Sequence, residues 1–134
     1  MEKADIKDII TRYKTIAVVG LSPDQGKPSF EVAAYLQRAG YRIIPVNPAC
    51  QEILGERCYP TLADIPGEVE IVDVFRRAEF LPEVVEQAIA KGAKVVWMQE
   101  GIINQAAAAR AEEAGLAVVM DLCLLKEHYK LASR

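Results

Sequence analysis

The run Thr15-Ile-Ala-Val-Val-Gly20-Leu-Ser22 narrows the architecture more than any other stretch of the chain. Five β-favouring or small residues lead straight into a glycine, and Pro23-Asp-Gln-Gly-Lys-Pro-Ser29 then carries the chain to a new helical pattern. A strand covered by helices on both faces reads as an unbroken apolar run, so this one reads as a buried parallel strand. Pro28 suits the first turn of a helix, where its missing N–H would have had no partner anyway. The unpaired amides of that turn, with the positive end of the helix dipole behind them, favour an anion. The unit is a strand, a phosphate-sized loop and a helix start.

The rest of the chain repeats this unit with variations. Ile6, Ile9, Ile10 and Tyr13 fall at helical spacing behind Asp5, a good N-cap, so residues 5–13 form an amphipathic helix within an N-terminal segment of 1–14. Val32, Ala33, Leu36 and Ala39 mark a helix from Pro28 to Ala39, closed by Gly40. A second strand, Tyr41 to Val46, ends in Asn47-Pro48; Pro45 is awkward there and is placed at the frayed end of the strand. Residues 49–67 break the pattern except for a helical turn at 61–65. Glu70 to Phe75 is a third strand with Arg76-Arg77 at its carboxyl end, Leu81 to Lys91 a helix, and Lys94 to Met98 a fourth strand. The loop Gln99-Glu100-Gly101 leads to an alanine-rich helix at 102–114, a fifth strand at Leu116 to Met120, and a C-terminal helix or tail over 121–134.

Strands alternating with helices at this spacing predict an α/β fold, a doubly wound parallel five-stranded sheet made by right-handed crossovers. The expected strand order is 3-2-1-4-5. Ligands of such sheets bind outside the carboxyl ends of the strands where the order reverses, here between strands 1 and 4. That rule selects Gly20 to Ser29, Asn47-Pro48, Phe75 to Arg77 and Met98 to Gly101.

With 134 residues, 51% hydrophobic and 26% charged, the chain has ordinary globular composition and room for one domain, 1–134. No apolar run approaches the length of a membrane span, and Met1-Glu2-Lys3-Ala4-Asp5 does not resemble a secretory or transit signal, so a cytoplasmic location is expected. Cys50, Cys58 and Cys123 are odd in number and lack C-x-x-C spacing, which argues against a disulfide framework or a zinc site. A net charge of −3 gives no reason to expect nucleic acid, while a phosphorylated small ligand needs only local positive charge.

The loops discriminate among such ligands. Gly20-Leu-Ser22-Pro-Asp-Gln25 supplies only the first glycine of the dinucleotide fingerprint, and no carboxylate follows strand 2 to hold a ribose. The triphosphatase loop is also missing, since Gly20 to Gly26 is one residue too long and Pro28 follows Lys27. Lys27 and Arg76-Arg77 are cations that can converge on a polyphosphate. An NAD(P)- or nucleotide-dependent enzyme using the same cleft is the alternative that this reading keeps open.

Together, V-V-G-L-S with K-P-S, Y-R-I-I-P-V-N-P, V-F-R, W-M-Q-E-G-I and M-D-x-C-x-x-x-E-H resemble the small stand-alone CoA-binding proteins. Their Rossmann-like domain is similar to the N-terminal domain of the succinyl-CoA synthetase α subunit, and the resemblance runs from Thr15 to His128. It implies a domain that holds coenzyme A or an acyl-CoA. Gly20, Leu21, Ser22, Lys27 and Ser29 would contact phosphate or ribose, and Asn47 and Pro48 would line the adenosine side. Phe75, Arg76 and Arg77 would stack and supply charge, and Met98, Gln99, Glu100 and Gly101 would meet the pantetheine arm. The synthetase's phosphorylated histidine lies in a domain not matched here, so its ligase activity does not transfer. The function expected is therefore binding of coenzyme A or an acyl-CoA without a catalytic centre of its own, with a sensor or carrier role toward an unidentified protein partner as one use of it.

Several of these residues also have plain structural readings. Asn47-Pro48 is common turn chemistry. Glu100 sits awkwardly beside a polyanion and would instead cap the next helix, accept a hydroxyl or amide donor, or lie away from phosphate. Asp73, mid-strand, reads as structural and Trp97 as core. Cys123 and His128, five apart, are too few for a metal site.

Overall fold

The structure, a computed structural model, describes residues 5–133; Met1 to Ala4 and Arg134, which belong to the two terminal segments expected above, lie outside the described residues. The chain runs α1 (Ile6–Arg12), β1 (Thr15–Val19), α2 (Pro28–Arg38), β2 (Arg42–Val46), β3 (Glu52–Ile53), β4 (Glu56–Arg57), β5 (Ile71–Val74), α3 (Leu81–Lys91), β6 (Val95–Met98), α4 (Gln105–Glu113), β7 (Ala117–Val119) and α5 (Leu124–Ala132). Two single 3₁₀ turns, Leu62–Asp64 and Ala78–Phe80, precede β5 and α3.

The apolar runs become strands buried on both faces. Ala17, Val19, Val72, Val74, Val96 and Met98 point to one side, where Val84, Val85 and Ala88 of α3 and Ala107, Ala108 and Ala111 of α4 cover them. Ile16, Val18, Ile71, Val95 and Trp97 point to the other, beneath Ile9 and Ile10 of α1, Val32 and Leu36 of α2, and Leu124 of α5. The alanines of α4 let that helix approach the sheet closely. Trp97 is fully buried, and its indole N–H donates to the Leu122 carbonyl at 2.8 Å, which satisfies the one polar atom the ring takes into the core.

All five strands of the main sheet are parallel, in the order β2-β1-β5-β6-β7. In the numbering of the expected strands this is 2-1-3-4-5, which corrects the 3-2-1-4-5 order. The third strand crosses back over β1, and β2 becomes an edge. Pro45 accounts for this, because its carbonyl accepts from Tyr59 N–H at 3.0 Å on the outer flank. N–H and C=O of a strand residue point the same way, so the donor that proline lacks faces outward, where no main-sheet strand needs it. Tyr59 covers that flank as an isolated parallel bridge to Val46.

Three boundaries also shift. Residues 52–57 form a small hairpin, β3-β4, whose two turn residues Leu54 and Gly55 have φ of 57° and 75° as a type I′ turn requires. The alanine-rich helix begins at Gln105 rather than 102, because Asn104 caps it by accepting from Ala107 N–H at 2.9 Å. The segment after β7 is helical from Leu124. Among the described residues no helix is long and apolar enough to cross a membrane.

Candidate functional site

With β5 beside β1, the order reverses between those two strands, and their carboxyl-end loops flank a crevice. Gly20 is its hinge point. The residue has φ of +87°, and a Cβ placed there would lie 2.6 Å from the carbonyl oxygen of Phe75. Only glycine allows this approach. Gly20 N–H donates to the Val46 carbonyl at 3.0 Å, so the chain ends of β1, β2 and β5 meet at one residue. Beside it opens a groove of about 420 Å³, walled by Gly20, Asn47, Pro48, Pro60 and Arg76 and by the first turns of α3.

The loop that follows is stiffened by short polar side chains. Ser22 N–H donates to Ser29 Oγ at 3.0 Å, Ser22 Oγ accepts from Asp24 N–H at 3.0 Å, and Asp24 Oδ1 accepts from Gly26 N–H at 2.8 Å. Asn47 Nδ2 donates to the Leu21 carbonyl at 2.9 Å while its Oδ1 accepts from Ala49 N–H at 2.8 Å, which ties the β1 loop to the end of β2. Ser29 and Leu21 are buried beneath the loop, Leu21 within the core. Lys27 is the N-cap residue of α2 and is exposed, with Pro28 in the first turn as the sequence predicts.

Of the two arginines after β5, Arg76 lines the groove, with its guanidinium 4.2 Å from the centroid of the Phe80 ring. That stacking holds a long side chain in one orientation. Arg77 is 84% exposed, pairs with Glu79 at 3.7 Å and stands outside the groove wall. Phe75 is partly buried against the α2 face of the core.

The stretch 98–101 is organised differently. Met98 is core. Gln99 is buried, and its Nε2 donates to Asp73 Oδ1 at 2.5 Å. Asp73 is fully buried, and its Oδ2 has no partner among the described residues. Burial pushes the Asp73 carboxyl up to about 7, against the opposing pull of the Gln99 hydrogen bond. Glu100 pairs with Lys126 of α5 at 2.9 Å, and Gly101 N–H donates to Asp121 Oδ1 at 2.7 Å. This loop faces the α5 lead-in, and none of its residues lines the groove.

The structure therefore brings Gly20, Asn47, Pro48 and Arg76 to one wall. It sets Leu21, Ser22 and Ser29 as supports beneath them, and places Arg77 and residues 98–101 elsewhere. It also adds Pro60, Thr61, Glu83 and Gln87, which sequence reasoning passed over. Glu83 and Gln87 were detectable as a polar i, i+4 pair at the start of a helix on the strand-end side. Thr61 signals its place by a capping box, with Asp64 Oδ2 accepting from Thr61 N–H at 3.1 Å and from its hydroxyl at 2.8 Å.

Cys123 and His128 lie apart from this groove. Cys123 is buried at the start of α5. His128 Nδ1 shares a 2.7 Å hydrogen bond with the Tyr35 hydroxyl and meets the Tyr35 and Tyr41 rings edge-on. Burial, and then the nearby Lys14 charge, lower its pKa. Among the described residues no three His, Cys, Asp or Glu side chains group as metal ligands.

Comparison with known proteins places this geometry in a family. YneT of Bacillus subtilis, an uncharacterized protein, is 46% identical over 126 residues, 94% of this chain and 93% of YneT. The ADP-forming acetate–CoA ligase II of Archaeoglobus fulgidus is 38% identical over 92 residues, 67% of this chain, but the match spans only 14% of the ligase. A solved structure of a hypothetical protein from Pyrococcus horikoshii OT3 superposes with a TM-score of 0.92 at 44% identity, covering 98% of this chain and 99% of that one. The profile of the CoA binding domain matches residues 14–129, nearly the whole chain, and this protein belongs to the CoA-binding domain family.

Proposed function

We propose that this chain holds coenzyme A, free or acylated, in the groove above β1, β2 and β5, and presents or reports it to a protein partner. The observation that carries the reading is the joint position of Gly20 and Arg76. A turn that admits no side chain brings loop backbone against the end of β5, and an arginine pinned over Phe80 faces the same opening. An oriented guanidinium is what a diphosphate needs, and the Gly20 turn fixes the loop beside it. Lys27, at the start of α2, adds positive charge to the helix end that already favours anions. Residues 98–101 stand away from this groove, so the reading gives them no contact with the nucleotide end of the ligand. The groove's ionisable groups, Arg76 and Glu83, suit grip and orientation, and the reading assigns no bond-making step to them. The free thiols Cys50, Cys58 and Cys123 accord with a cytoplasmic location.

Calorimetric titration with CoA, acetyl-CoA, ADP and NADH tests this. Saturable CoA binding that weakens with salt is expected, with Arg76→Ala lowering affinity about tenfold or more, the scale of a charge-assisted hydrogen bond. Preferential NADH binding, or CoA affinity untouched by both Lys27→Ala and Arg76→Ala, would sink the assignment.

A further inference from the structure

The groove carries one feature that a phosphate-binding site does not call for. Glu83 stands in the first turn of α3 and Gln87 one turn further, and both line the opening. Gln87 Nε2 lies 3.4 Å from Glu83 Oε1, a long contact that leaves both side chains with hydrogen-bonding capacity to spare. Among the described residues no lysine or arginine is within ion-pair distance of Glu83. Glu83 is solvent-exposed, and a carboxylate free of a cation disfavours phosphates beside it, so the ligand group that it suits is a neutral donor.

Given the CoA reading, on which this step rests, the donors are few. The ribose of CoA carries a 3′-phosphate, and a carboxylate set against the 2′-hydroxyl would lie next to that dianion. The remaining neutral donor at the nucleotide end is the 6-amino group of adenine. Val46, Pro48, Pro60 and Val84 in the same lining supply apolar surface for a flat base. An amide can pair with the adenine edge by donating to a ring nitrogen and accepting from the amino group. We infer that Glu83 and Gln87 form the base-reading edge of the groove and select adenine over an oxopurine. A 6-oxo group would put lone pairs against an acceptor-only carboxylate, which makes the selection repulsive as well as attractive.

The test titrates wild type, Glu83→Gln and Gln87→Leu with CoA, the inosine analogue of CoA, ADP and IDP. Unchanged thermal melting shows that each variant folds. Wild type is expected to prefer the adenine member of each pair by roughly tenfold or more, as sites built around a specific hydrogen bond do. Glu83→Gln should reduce that preference to about threefold or less, since an amide can turn either its donor or its acceptor to the base. Gln87→Leu should weaken the adenine ligands more than the hypoxanthine ones. Equal wild-type affinity for CoA and its inosine analogue overturns this inference and leaves CoA binding standing. Selectivity that survives in Glu83→Gln overturns it too. No CoA binding by wild type, with ADP still preferred over IDP, overturns the CoA reading and supports the base-reading edge.

Discussion

The loop after β1 and the loop after β6 both begin at the carboxyl end of a buried strand and both contain a glycine with positive φ, yet they are built on different physics. The first is braced by short side-chain hydrogen bonds to backbone from Ser22, Ser29, Asp24 and Asn47, and its glycine lies against the Phe75 carbonyl. The second rests on a buried acid, Asp73 with Gln99, and a surface ion pair, Glu100 with Lys126; a Cβ on its glycine, Gly101, would meet nothing within 4 Å. Position in the sheet makes the difference. β1 stands at the reversal of strand order and β6 one strand beyond it, so the same local motif opens onto a groove in one case and packs against α5 in the other.

Titrating Asp73 should break this comparison most forcefully. Its carboxyl is raised from 3.8 to about 7 by burial, so the folded protein keeps a proton that the unfolded chain releases. Stability from this group is full below about pH 4 and falls as pH rises toward 7, by at most about 1.4 kcal/mol per unit. Urea denaturation of wild type and Asp73→Asn across that range should show the slope in the first and not in the second. Parallel curves would mean that the carboxyl finds water or a partner.

Paired alanine substitutions come next. Gly20→Ala meets both the positive φ and the Phe75 carbonyl and should cost about 3 kcal/mol, with loss of CoA binding. Gly101→Ala meets only the φ of +83° and should cost about 1 kcal/mol. Equal losses in denaturation would show that open space at Gly101 does not relieve the strain. The smallest effect belongs to Lys126→Ala. Both partners of its ion pair are more than half exposed, and no measurable shift in the denaturation midpoint is expected at any salt concentration.

Much of this was legible in the chain itself. The apolar runs and Gly20 point to β1 and its loop because burial on both faces and close backbone approach leave marks in residue type. Lateral order leaves almost none, since periodicity reports which face is buried and not which strand lies alongside. Pro45 was the residue that bore on it. Taken as a donor missing from an outer flank rather than as a frayed end, it makes β2 an edge and places strand 3 next to strand 1. Met98 and Gln99 illustrate the opposite limit, for strand-end position selected them while their burial removes them from the surface. The β3-β4 hairpin escaped because Leu54 occupies a left-handed turn position that Asn or Asp more often fills. Asn104, three residues before Ala107, carries the cap signal that starts α4 at Gln105.

The two margins of the sheet carry one further consequence. Tyr59 occupies the outer flank of β2, where Pro45 has no hydrogen to offer, whereas β7 is paired, among the described residues, on its β6 side alone. A strand added beside the end of β2 would have to displace Tyr59, whereas the outer backbone of β7 carries no such cover among the described residues.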